Sequence, residues 1–156
     1  MKAIQDFYPE EFAHCYGCGR ANARGLHLKS YVDGTETVAR FTPADLYSGG
    51  YPGHVYGGMI ASLLDCHGTA SAAAFALRER GLEWGHGQDP IRFVTASLRI
   101  EYKRPTPLGV ELVIRGSLSS LDGRKATIAL SLSAADELCA SAEMLAIEYR
   151  RKTRAP

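Results

Sequence analysis

The sequence predicts an α+β domain in which one antiparallel sheet curls round a single long buried helix. Three observations point there. The segment Gly58 to about Arg80 is apolar nearly all the way round at helical spacing, two strand-like runs precede it, and the text after it alternates with period two between turn residues. The length of 156 residues, 46% hydrophobic and 22% charged, fits one domain with a real core, 1–156, and gives no expectation of a second.

Taken in order, 1–24 reads as an N-terminal segment and loop, with a helical turn around Pro9 to His14 and then the Gly-rich Cys15-Tyr16-Gly17-Cys18-Gly19. Leu26 to Val32 and Thr37 to Phe41 flank the turn Asp33-Gly34 and form a hairpin by alternation and turn chemistry. Pro43 to Gly58 carries two prolines and five glycines and reads as a long shaped loop, the kind that often has a functional reason. The helix follows and stops at Gly81. A polar connection over 82–90 leads to a strand from Phe93 to Lys103, with Val94, Ala96, Leu98, Ile100 and Tyr102 on one face and Thr95, Ser97, Arg99, Glu101 and Lys103 on the other. Val110 to Leu118, Ala126 to Ala134 and Leu138 to Tyr149 complete the strands, joined by turns at Leu121 to Arg124 and at Asp136-Glu137. The tail, 150–156, reads as frayed. One sheet of this size does not easily cover such a helix on every side, and dimerisation is the natural remedy.

Eighteen basic and 17 acidic residues, scattered along the chain, leave a net charge of +1 and no footprint for nucleic acid or an anionic membrane. The N-terminus carries acids early and lacks a long apolar run, so neither a signal peptide nor a membrane span is expected there, and the expected location is cytoplasmic. Four cysteines, Cys15, Cys18, Cys66 and Cys139, are too few and too unevenly placed for a disulfide framework, which leaves free thiols.

Asp65 is the chemical anomaly. It interrupts Met59-Ile60-Ala61-Ser62-Leu63-Leu64, where burying an unpaired carboxylate costs several kcal/mol. Either it serves chemistry, or it faces a solvent-filled edge or bonds a nearby hydroxyl such as Thr69. Gly57-Gly58 at the helix start offers free amides and the positive end of the helix dipole to a developing oxyanion, although a bare glycine pair also serves an ordinary turn. Gly58 and Asp65 are seven residues apart, on one helix face about 10 Å from each other. A single carbonyl needs both groups within about 3 Å, so two antiparallel copies of the helix, with Asp65 of one facing Gly58 of the other, suit it better than one.

The run Gly53-His54-Val55-Tyr56-Gly57-Gly58-Met59-Ile60-Ala61-Ser62-Leu63-Leu64-Asp65 resembles the signature of hotdog-fold acyl-CoA thioesterases of the phenylacetate-pathway type, His-Gly-Gly with an Asp seven residues after the second glycine. Cys15-Tyr16-Gly17-Cys18-Gly19 with Asn22 and Gly25-Leu26 resembles their N-terminal motif. Val94 to Leu98 through Tyr102-Lys103-Arg104-Pro105 resembles their central strand, and Gly123-Arg124-Lys125 a later hairpin. The similarity runs from about Cys15 to Tyr149.

The resemblance implies a hotdog fold, five or six antiparallel strands round one helix, assembled as a homodimer or a dimer of dimers. It implies hydrolysis of a small or medium acyl-CoA, with coenzyme A as part of the substrate and no separate cofactor. It puts the catalytic carboxylate, as base or nucleophile, on Asp65, the oxyanion donor on the Gly58 amide, and a water-positioning hydroxyl on Thr95. The family's histidine before the glycine pair is Tyr56 here, whose hydroxyl donates a hydrogen bond but does not act as an imidazole near neutral pH. His54 could supply an imidazole upstream, whereas His67 points about 200° away from Asp65. Gly57, His54 and Asn22 join the expected substrate contacts, with Lys103, Arg104, Arg124 and Lys125 as candidate partners of the coenzyme A phosphates or simply solvated charges. Cys15-x-x-Cys18 in isolation suggests zinc or redox chemistry, but Cys66 and Cys139 are remote in the sequence and His14 makes an unconvincing partner, so no metal is expected. Two rival readings keep the fold: a non-catalytic acyl-CoA-binding module, prompted by Tyr56, and an enoyl-thioester hydratase or dehydratase.

Overall fold

A computed structural model describes residues 2–82, 84 and 91–150. Six strands, β1 (Ser30–Asp33), β2 (Glu36–Phe41), β3 (Phe93–Tyr102), β4 (Leu112–Asp122), β5 (Lys125–Ala134) and β6 (Glu137–Glu148), form one antiparallel sheet in the order β1-β2-β4-β5-β6-β3. It packs round the single helix α1 (Gly57–Glu79). This is the hotdog arrangement that the sequence resemblance implies. Most of the connection expected over 82–90, and the tail expected to fray apart from Arg150, lie outside the described residues.

Helix α1 is long and apolar enough to pass for a membrane span, yet 78% of its most apolar stretch is buried inside the protein. Leu63, Leu64, Phe75 and the alanines from Ala70 to Ala76 contact the sheet on several sides, and each large side chain so buried contributes about 1.5–3 kcal/mol. The wrap is incomplete. Gly58, Ala61, Ser62, Asp65 and Thr69 remain half-exposed, and their spacing of three and four residues makes them one continuous seam along the helix. The helix ends where expected: Gly81, at φ +69, lets its own amide reach Arg78 O (2.9 Å) and the Leu82 amide reach Leu77 O (3.1 Å).

Three expectations need correction. The first strand begins at Ser30, because Leu26 and Leu28 give their amides to Tyr16 O (2.8 Å) and Gly17 O (2.9 Å) and His27 turns the chain at φ 55. That stretch therefore closes the cysteine loop and does not extend the hairpin. In β3 the alternation is broken by a register shift at Ala96: Thr95 pairs with Ala146 but Ser97 with Leu145. Thr95 thus faces the helix with Leu98 and Ile100, while Val94, expected on their face, is exposed. Finally, the N-terminal segment is no mere loop. A 3-10 turn, Ile4–Phe7, inserts Ile4 and Gln5 into the core, in addition to the turn Glu10–Phe12 near the one expected.

Gln5 explains why that turn is held. Its Nε2 donates to Ser30 Oγ (3.0 Å) and its Oε1 accepts from the Ser30 amide (2.8 Å). Ser30 Oγ meets His67 Nδ1 at 2.9 Å, His67 Nε2 meets Thr37 Oγ1 at 3.2 Å, Thr37 Oγ1 meets Ser71 Oγ at 2.6 Å, and Ser71 Oγ donates to His67 O at 2.6 Å. Each hydroxyl has one proton, so Gln5 donates to Ser30, Ser30 to Nδ1 and Nε2–H to Thr37, while Thr37 gives its own proton to Ser71 or to Gly116 O (3.3 Å). Every member is satisfied only while His67 is neutral with its proton on Nε2.

Burial pushes the His67 pKa down to about 4 from its ordinary 6.5. A histidine with a depressed folded-state value stabilises the fold above its unfolded pKa, and that contribution is lost as pH falls from about 6.5 towards about 4. Urea unfolding should therefore show stability dropping with acid, by up to about 1.4 kcal/mol per pH unit. In His67→Gln the dependence between about pH 6.5 and pH 5, above most carboxylate titration, should flatten. Equal slopes in the two proteins would contradict the neutral histidine.

Candidate active site

The loop before the helix is shaped by backbone bonds. The Tyr56 amide donates to Tyr47 O (2.8 Å), the Gly49 amide to His54 O (2.8 Å) and the Val55 amide to Thr106 O (2.8 Å), so the helix is entered at a fixed angle. Tyr56 is the N-cap in extended conformation, and its carbonyl accepts from the Met59 (2.9 Å) and Ile60 (3.3 Å) amides. The Gly57 and Gly58 amides are the orphan donors that every helix start exposes. The Tyr56 ring lies over Gly58 so closely that a Cβ there would stand 2.3 Å from Tyr56 Cε1. Glycine at 58 is needed for that approach.

Two turns on, Thr95 Oγ1 donates to Asp65 Oδ1 at 2.6 Å. The register shift at Ala96 puts the hydroxyl there, so β3 and α1 each supply one member of the pair. Asp65 is half-buried in the open seam and not enclosed, which corrects the burial cost inferred from its apolar neighbours. Thr69 gives its hydroxyl to the backbone oxygens of Asp65 and Cys66 (3.2 Å each) and leaves the carboxylate alone. Oδ2 accepts no hydrogen bond from the described residues.

A cavity of about 540 Å³ opens beside the glycine pair, lined by Tyr16, Leu46, Tyr47, Ser48, Tyr56, Gly58, Met59 and Ser62. Its mixture of aromatic walls with a few polar groups suits a small-molecule acyl chain. Sequence reasoning passed over Ser62, which donates to Gly58 O at 2.9 Å, and Tyr102, which donates to Gly57 O at 2.9 Å. The signal for Ser62 was its place between Gly58 and Asp65 at spacings of four and three. Tyr102 had none, because only tertiary packing brings the end of β3 to the helix start.

The remaining candidates separate. His54 stacks on Tyr51 at 4.5 Å and its Nδ1–H donates to Pro52 O at 2.8 Å, away from the cavity lining. Asn22 is spent on its own loop, with Nδ2 donating to His14 O (3.3 Å) and Oδ1 accepting from the Arg24 amide (3.1 Å). Arg124 holds Glu148 O through Nε (3.2 Å) and Nη2 (2.7 Å), while Lys103 pairs with Glu101, and Arg104 with Glu137 at 2.6 Å. Lys125 aligns with Ile147, itself opposite Val94 at the start of β3, whereas Lys103 and Arg104 follow its end, so about 30 Å separates the two cation clusters within one chain. They do not converge on one phosphate group in a single subunit.

The family model described as Thioesterase superfamily matches residues 52–141, which span the glycine pair, Asp65 and Thr95. A thioesterase superfamily protein from Shewanella loihica PV-4 is 40% identical, with 92% of this chain and all of that one aligned at a TM-score of 0.68. The rat (Rattus norvegicus) acyl-coenzyme A thioesterase THEM4 is 34% identical over 92 residues, 59% of this chain and 34% of that protein. The chain thus spans about a third of the length of the curated relatives it matches. The PaaI protein of the phenylacetic acid degradation operon of E. coli, 13% identical, shares the fold with a TM-score of 0.65 over 80% of this chain and 81% of that one. With a matching family model over more than half its length and a relative aligned over that relative's whole length, this chain belongs to the thioesterase superfamily.

Proposed function

We propose that this protein hydrolyses the thioester of a small or medium acyl-CoA, with Asp65 as the carboxylate that attacks or activates water. The observation that carries the reading is the hydrogen bond from Thr95 Oγ1 to Asp65 Oδ1 at the edge of an open cleft. It fixes the carboxylate through Oδ1 and leaves Oδ2 without a hydrogen-bond donor among the described residues.

The reaction needs a second half. Gly58 and Asp65 of one helix stand about 10 Å apart, too far to serve one carbonyl. Strand β3 is an edge strand of 10 residues with Val94 and Tyr102 exposed, a surface that invites pairing with a second copy. Two-fold pairing there lays the two helices antiparallel and brings Gly58 of the partner subunit to Asp65. The assembly proposed is therefore a homodimer, or two such dimers together, in the cytoplasm.

In the base mechanism Asp65 takes a proton from water as its oxygen bonds to the acyl carbon. The carbonyl electrons move onto oxygen, where the partner's Gly58 amide holds the charge. Collapse of the tetrahedral intermediate breaks the C–S bond, and the leaving thiolate takes the proton from Asp65. In the nucleophilic variant Oδ2 itself bonds to the acyl carbon, the thiolate leaves, and water hydrolyses the resulting anhydride. Tyr56 orients the substrate from the rim of the cavity that receives the acyl group.

Asp65→Ala should lower thiol release from acyl-CoA by at least about 10²-fold, with an unchanged circular dichroism spectrum; undiminished turnover would remove Asp65 from the mechanism. Gly58→Ala keeps the amide N–H but forces the Tyr56 ring aside at the place where the carbonyl must sit, a misplacement that should cost about 10²-fold in kcat. Co-assembling the two variant chains should restore hydrolysis, because each mixed dimer regains one intact site; no recovery from verified mixed dimers would argue for a site within one subunit. Tyr56→His restores the family's residue and should speed hydrolysis, whereas tight acyl-CoA binding without thiol release in both forms would favour the binding-module reading.

A further inference from the structure

On the flank of α1 beside the Asp65 seam, about 100° round the helix, the fold gathers three thiols that play no part in thioester chemistry. The sulfur atoms of Cys15, Cys18 and Cys66 all lie within 4.8 Å of one another, with Cys15 Sγ 3.6 Å from Cys66 Sγ. The sequence distance that made Cys66 an unconvincing partner disappears on folding. In a tetrahedral zinc site with Zn–S bonds of about 2.3 Å, neighbouring sulfurs stand about 3.8 Å apart. The cluster is already close to that size, and it is not a set of cysteines drawn together at random along a surface: Cys18 and Cys66 are buried and Cys15 is at the opening.

The loop is built to hold this arrangement. The Gly19 amide donates to Cys15 O (2.9 Å), the Ala21 amide to Ala13 O (2.9 Å), and Leu26 and Leu28 tie down Tyr16 and Gly17 from the other side. A Cβ on Gly17 would stand 2.3 Å from Cys66 Sγ, so glycine is required for the loop to lie this close to the helix thiol. The surroundings also suit a negatively charged sulfur cluster. The Arg92 guanidinium sits 3.6 Å over the Tyr8 ring and 5.0 Å from that of Phe12, with its buried Nε unpartnered, and brings a positive charge close to Cys18.

We propose that Cys15, Cys18 and Cys66 form a zinc site of three protein thiolates, with a solvent molecule as fourth ligand at the open side of Cys15. Binding displaces the three thiol protons to solvent. The net charge of three thiolates and one Zn²⁺ is −1, which the Arg92 cation offsets. Physically the ion fastens the loop to the middle of α1, and through Tyr16 it fixes one wall of the neighbouring cavity. The inference stands independently of thioester hydrolysis.

The test uses the full chain, purified without a histidine tag under reducing conditions, loaded with zinc, dialysed, and assayed by elemental analysis and by competition with a chromophoric chelator. About one zinc per chain is expected. Cys15→Ser alters an exposed position and should leave the fold intact. Loss of an outer-shell partner already costs 10–100-fold in affinity, so loss of this ligand should weaken zinc by about 100-fold or more. Cys139→Ser, remote from the cluster, should bind as the parent does. Cobalt substitution should give thiolate-to-metal charge transfer that diminishes in Cys15→Ser. A chain that retains no zinc, or takes Cu(I) but not zinc, overturns the proposal, as does a Cys15→Ser variant that binds with parental affinity.

Discussion

The structure depends on how a six-stranded sheet buries one helix of 23 residues. The apolar residues of α1 point in nearly every direction, and their transfer from water drives the sheet to curl round them. A sheet in a single chain has two edges, however, and the wrap stops at β3. The part of the helix left open carries glycine, alanine, serine, aspartate and threonine, small or polar residues that tolerate partial solvent contact. The candidate active site lies in this gap. Asp65 is tolerated on a core helix because the seam exposes it, and Thr95 meets it because β3 is the strand that borders the seam.

Two local devices make that meeting possible. The extra residue at Ala96 turns Thr95 inward while still letting Leu98 and Ile100 face the core further along the strand. Without it, a strand that packs Leu98 against the helix would aim Thr95 at solvent, since side chains alternate strictly in a regular strand. The second device is the chain of hydrogen bonds from Gln5 through Ser30, His67 and Thr37 to Ser71, which fastens the N-terminal turn, both strands of the first hairpin and the helix to one another. A buried polar network stabilises a unique arrangement only when fully satisfied, and this one is.

Around Asp65 and Cys66 the helix serves two different neighbours on two sides. One face meets β3 and the cleft; the next residue meets the cysteine loop, whose Tyr16 reaches back to the cavity. The N-terminal segment is thereby part of the same construction as the site and no appendage to it. Residues outside the family match, which begins at 52, complete the cavity wall.

The α+β class, the helix with its Gly81 stop, the four strands that follow it and the place of Gly58 and Asp65 on one helix face were legible in the chain, because each depends on local periodicity, a turn residue or a fixed spacing. The strands differed from expectation by only a few residues at their ends. What lay beyond the sequence depends on contacts between distant segments. The true start of β1 was decided by where the Leu26 and Leu28 amides found carbonyls, and the facing of Thr95 by one unpaired residue against β6. Asn22 found work within its own loop and Arg124 at the end of β6, which composition does not reveal, and the two cation clusters were parted by the length of β3. The proximity of Cys66 to Cys15 and Cys18 is the sharpest case. A spacing of 48 residues from Cys18 carries no information about distance once the chain folds back, and only the packing of a glycine-bearing loop on α1 brings the three sulfurs together.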